Sequence, residues 1–113
     1  MTRISKISEA PPAAVEEALI RLGRNIRTAR LRRRLTRENL AERIGVSRKV
    51  LAQIEKGKPT TAVAAYLGAL WALGLLNGLR YVADPDRDEE GKILERARSP
   101  KAAPKRRKID DDF

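Results

Sequence analysis

Apolar residues recur at helical spacing in four blocks along this chain, and polar punctuation separates the blocks cleanly. From Ala13 to about Arg33, Val15, Ala18, Leu19, Leu22, Ile26 and Ala29 make one stripe, predicting a long helix with a single buried face. Leu40, Ala41 and Ile44 make a second, shorter stripe. It opens at Thr36, whose hydroxyl can cap the first free N–H groups, and closes at Gly45, suited to a left-handed C-cap. Val50, Leu51 and Ile54 form a third between the cap residue Ser47 and Gly57. After the loop Lys58-Pro59-Thr60-Thr61, in which Thr60 or Thr61 is the expected cap, Val63, Tyr66, Leu67, Leu70 and Leu73 predict a fourth helix to about Leu73. Gly74 breaks it.

Beyond Gly74 two readings fit. Leu75, Leu76, Leu79 and Val82 suit a short fifth helix, which we prefer, while the alternation of Leu79 and Tyr81 with Arg80 and Val82 suits a strand. At the other end, residues 1–12 have no sustained period and finish in Pro11-Pro12, the pattern of a flexible arm with proline setting the helix start. Asp84-Pro85-Asp86 closes the folded part, giving an expected organisation of arm (1–12), helical domain (13–83) and extension (84–113). Within the extension, Glu89 to Arg98 can form a partial helix, but Ile93 and Leu94 are too few to bury alone. The stretch after Ser99-Pro100, with its basic block Lys105-Arg-Arg-Lys108 and acidic tip, has the composition of a disordered tail.

Composition narrows the chemistry. The 113 residues include neither Cys nor His, which removes thiol nucleophiles, His bases and the usual zinc ligands, so no enzyme, metal or cofactor is expected. The N-terminus lacks the apolar core of a signal peptide and no stretch reaches a membrane span, so the expected location is cytoplasmic. The net charge of +10 is not spread evenly. Thirteen basic residues stand against Glu38, Glu42 and Glu55 between Arg21 and Lys58, while the flanks nearly cancel. A basic excess confined to the second and third stripes and the end of the first suits a polyanion better than a generally solubilising surface would.

The second and third stripes, joined by three residues, read as a helix-turn-helix, whose second helix lies in the major groove of DNA. Leu22-Gly-x-x-Ile-Arg-x-x-Arg30, Leu35-Thr-x-x-x-Leu-Ala-x-x-x-Gly-Val-Ser-Arg48, Ile54-Glu-x-Gly57 and Ala72-Leu-Gly74 together resemble the XRE family of repressors, which includes the phage Cro-type proteins. That resemblance implies an all-α, compact five-helix domain that binds palindromic double-stranded operators as a homodimer. It puts base contacts on Ser47, Arg48, Lys49 and Gln53, and a structural ion pair between Arg30 and Glu55. Arg or Lys suits guanine and Gln suits adenine. Where this family often has Gln the chain has Arg37, so a DNA-backbone role is what carries over there, shared with Lys58.

The later run Lys58-Pro-x-Thr-x-x-x-x-Tyr-Leu-x-Ala-Leu-x-Ala-Leu-Gly-Leu-Leu-x-x-Leu79, then Ala-Asp-Pro-x-Arg-Asp88 and a basic tail, is similar to HipB-like antitoxins. This implies a HipA-type kinase toxin as partner and repression of the chain's own operon; the alternative is a stand-alone XRE-type regulator. The surplus of large apolar groups at Trp71, Leu75, Leu79 and Val82 marks the expected dimer surface.

Overall fold

In the computed structural model, which describes residues 5–98, the chain is all-α, with no strand among the described residues. The helices are α1 (Lys6–Glu9), α2 (Ala13–Arg32), α3 (Arg37–Ile44), α4 (Arg48–Lys56), α5 (Val63–Ala72), a 3-10 helix (Leu76–Tyr81) and α6 (Glu89–Arg98). Among the described residues no helix is long and apolar enough to cross a membrane. The chain divides into two compact units, one ending at Asn77 and the other starting at Gly78.

In the first unit α2 to α5 enclose one core. Ile26, Leu40, Leu51 and Ile54 are fully buried, joined by Ala29, Ala41, Tyr66, Ala69 and Leu73. Four of its turns use the same device. Arg34, Gly45, Gly57 and Gly74 all take left-handed backbone, with φ of 56, 85, 73 and 77°. In all four the next residue donates back across the helix end, Leu35 to the Arg30 carbonyl, Val46 to Ala41, Lys58 to Gln53 and Leu75 to Leu70. These Schellman closures satisfy carbonyls that the helix itself leaves free. Leu35 and Val46, each just past such a turn, fold back against the core. Arg34 was not foreseen here, because its side chain makes left-handed backbone cost about 1 kcal/mol or more and no glycine flags the turn.

The start signals hold for two helices and fail for a third. Thr36 Oγ1 accepts from the Asn39 N–H at 3.0 Å while Asn39 Oδ1 accepts from the Thr36 N–H at 3.2 Å, a reciprocal capping box. Ser47 Oγ accepts from the Val50 N–H at 3.1 Å. Neither Thr60 nor Thr61 caps α5, which starts after Ala62 with no side-chain cap. The Thr61 hydroxyl instead lies 3.4 Å from Gln53 Oε1, because the loop turns back on itself through Thr61 N–H and the Lys58 carbonyl.

Periodicity also overstated burial at helix starts. Val15, expected in the buried stripe, is 39% exposed, Ala18 is exposed too, and Val63 is 71% exposed. The reason is length. With 20 residues α2 is roughly 30 Å long, against roughly 14 Å for the nine-residue α4 packed on it, so its first turns outrun the core. The segment after Gly74 is helical, as preferred over a strand, but 3-10 rather than α, and Ala83 in left-handed backbone follows it. The expected arm contributes a single helical turn, α1, that buries nothing.

Among the described residues the second unit buries none of its large apolar side chains: Leu79, Tyr81, Val82, Ile93 and Leu94 are all exposed. Its order is local. Asp88 Oδ1 caps α6 by accepting from the Gly91 N–H at 3.0 Å, and the Arg87 guanidinium sits 4.3 Å above the Tyr81 ring. Residues 99–113, expected to be disordered, lie outside the described residues.

The α2 and α4 backbones cross so closely at Gly23 that a Cβ there would sit 2.5 Å from the Ile54 carbonyl oxygen and 2.8 Å from that of Glu55. Alanine gains up to about 1 kcal/mol of helix propensity over glycine, but here both neighbours are backbone and cannot yield. We expect Gly23→Ala to cost about 1–3 kcal/mol net, read as a lower urea midpoint; an unchanged midpoint would show that the crossing has slack.

Candidate nucleic-acid interface

Three residues, Gly45, Val46 and Ser47, join α3 to α4, and the turn is anchored by Val46 donating to the Ala41 carbonyl at 3.0 Å. This fixes which side of α4 faces inward. Leu51, Ile54 and Glu55 are buried and Val50 is half-buried, so the opposite side carries Lys49, Ala52 and Lys56, with Arg48 and Gln53 at its margins. Ser47, Arg48 and Lys49 are exposed at the N-terminal turn, and among the described residues neither Arg48 nor Lys49 enters an ion pair. A groove-reading helix needs this arrangement: fixed on one side, with free donors at its leading end on the other.

The other expected site residues are less free. Gln53 is half-buried and its side-chain oxygen receives the Thr61 hydroxyl, tying it to the loop after α4. Lys58 is exposed, and its backbone carbonyl is held by the Tyr66 hydroxyl at 2.7 Å. Burial pushes the Tyr66 phenol up from its ordinary 10 to about 12. Tyr66 is therefore packing and loop anchor, not a surface for stacking bases. Of the expected dimer residues, Trp71 and Leu75 are exposed in the first unit and Leu79 and Val82 in the second, at 63, 44, 36 and 67%. Arg21, Arg24, Arg27, Arg32 and Arg34 are exposed and enter no ion pair among the described residues.

Beneath α4 lies a buried charge cluster. Arg30 Nε donates to Glu55 Oε2 at 2.6 Å and its Nη2 to Oε1 at 3.1 Å, a bidentate pair with side chains only 7 and 2% exposed. The third donor of Arg30, Nη1, reaches the Leu35 carbonyl at 2.9 Å. Arg37, expected only at the DNA backbone, also takes part: its Nε donates to Glu55 Oε1 at 3.2 Å, with its side chain 42% exposed. Sequence reasoning missed this contact because the partners are 18 residues apart and any arginine at a helix start looks solvated.

The chain matches the helix-turn-helix domain family over residues 21–80. It belongs to that family. No curated protein and no solved structure matches it. The matched segment of the helix-turn-helix domain runs from the second half of α2 into the 3-10 helix, so it contains α3, α4 and every member of the buried charge cluster. Family and geometry agree on a DNA-binding domain of XRE-like type.

Two outcomes test the packing beneath the interface. Glu55→Ala leaves two guanidinium groups without their carboxylate, one of them buried, and we expect a loss of about 3–5 kcal/mol in chemical denaturation; wild-type stability would refute the pair's structural role. Because the folded state holds Tyr66 protonated, its contribution is complete below pH 10 and is lost as pH rises towards 12. A phenolate absorbance titration should therefore show one tyrosine ionising near 12 together with unfolding, a step absent from Tyr66→Phe.

Proposed function

We propose that this chain is a transcriptional repressor that binds a duplex operator as a homodimer, with α4 in the major groove. The observation that carries the reading is a pair of cations, Arg48 and Lys49, exposed and without an ion pair among the described residues, at the leading end of a helix whose opposite face is buried. In this reading Ser47, Arg48, Lys49 and Gln53 meet base edges, with arginine or lysine matched to guanine O6 and N7. Arg37 and Lys58 grip the backbone. Trp71 and Leu75 supply exposed apolar surface for a second copy in the first unit, and Leu79 and Val82 do so in the second.

The finer reading is a HipB-like antitoxin that represses its own operon and neutralises a HipA-type kinase. Its support is the second unit, where the Asp84-Pro85 segment precedes α6, whose Ile93 and Leu94 are both exposed. A HipA-type kinase that keeps full activity beside this chain would leave only the DNA-binding half of the proposal.

Selection of bound duplexes from a random pool tests the DNA-binding half. Wild type should return a palindrome, with affinity falling steeply as salt rises. Arg48→Ala should relax the preference at one base pair per half-site, by about 1–3 kcal/mol. An unchanged selected sequence removes Arg48 from the reading set, and binding indifferent to salt removes DNA as the partner.

A further inference from the structure

Glu55 sits at the junction of two arginines with different duties. Arg30 is spent inside the domain, since its Nε, Nη1 and Nη2 all donate to protein oxygens. Arg37 is spent only at Nε. Its two terminal nitrogens donate to nothing among the described residues, and its side chain is 42% exposed at the first residue of α3. The cluster of two cations and one anion carries one positive charge in surplus, and that surplus reaches solvent through Arg37. The terminal nitrogens are a guanidinium's end-on edge, which can take two phosphate oxygens in parallel.

We propose that Glu55 is a positioning residue for DNA binding: it holds Arg37 by Nε and presents that end-on edge to a backbone phosphate. The inference rests on the DNA-binding function proposed above. It links the fold and the interface through one carboxylate. Without Glu55, Arg37 is a long side chain that must be ordered anew at each encounter, at a cost in rotamer entropy. Lysine cannot replace it, because a single ammonium can serve the carboxylate or the phosphate but does not span both. Nor can Gln replace Glu55, since both carboxylate oxygens already accept from arginine and an amide NH2 meets a donor whichever way it is turned.

Binding to a short duplex of random sequence is the test, because a phosphate contact is independent of sequence. Affinity is measured across a salt series for wild type, Arg37→Ala, Arg37→Lys and Glu55→Gln, with folding checked by circular dichroism. Arg37→Ala should lower the salt slope by about 0.9 and weaken binding roughly tenfold. Arg37→Lys, despite keeping the charge, should resemble Arg37→Ala. Glu55→Gln should also weaken binding, although it removes a negative charge from a polyanion-binding protein. Lysine performing as well as arginine, or stronger binding by Glu55→Gln, overturns the proposal. Where Glu55→Gln fails to fold, the lysine variant decides by itself. Wild type with a steep salt slope that Arg37→Ala leaves unchanged overturns only the positioning role; a wild-type chain that ignores the duplex at every salt concentration overturns the function beneath it.

Discussion

Everything in the helical domain is arranged around one buried carboxylate. Glu55 is 2% exposed, and taking an ionised group out of water costs several kcal/mol unless its oxygens are fully bonded. Arg30 and Arg37 provide that bonding from α2 and the start of α3. Arg30 also reaches the Leu35 carbonyl just beyond the left-handed turn at Arg34, so the same guanidinium holds the α2–α3 connection. Three elements thereby acquire a common registration that apolar packing alone, being non-directional, does not specify.

The apolar contacts then determine how closely the elements approach. Gly23 and Gly57 let the α2 and α4 backbones meet without side chains between them, while Ile26, Leu51 and Ile54 fill the space alongside. With its inner face fixed in this way, α4 turns Arg48 and Lys49 outward at its capped end. The helix dipole adds positive potential at that end, favouring an anionic partner there. Structure and electrostatics converge on the turn beginning at Ser47.

Much of this was legible in the sequence, and the failures share a cause. Thr36, Ser47, Gly45, Gly57 and Gly74 were readable because a cap is decided by the residue and its neighbours within one turn. Arg48 and Lys49 were readable as exposed because the apolar stripe of α4 places them away from the core. What depended on distant partners was not, save the Arg30–Glu55 pair, which the family resemblance supplied rather than any local spacing. Periodicity marks Val15 and Val63 as facing the same side as buried residues, but cannot say that no helix lies over them. The start of α5 carries no cap to find, and the 3-10 segment has the same apolar spacing as a short α-helix. Arg37 carried the right charge for the interface, while its contact with Glu55 exists only once α3 and α4 have packed.

The second unit obeys a different logic. Its order comes from Asp88 at the start of α6, the turn at Asp84 and the Arg87–Tyr81 contact, all within a few residues of chain. The DNA binding proposed for the first unit can be followed through backbone amide shifts of the isotope-labelled chain as duplex DNA is added at low salt. Perturbations should concentrate at the start of α3 and on Ser47, Arg48, Lys49 and Gln53. Perturbations confined to α5 or to the exposed side of α2, with α4 silent, would contradict it.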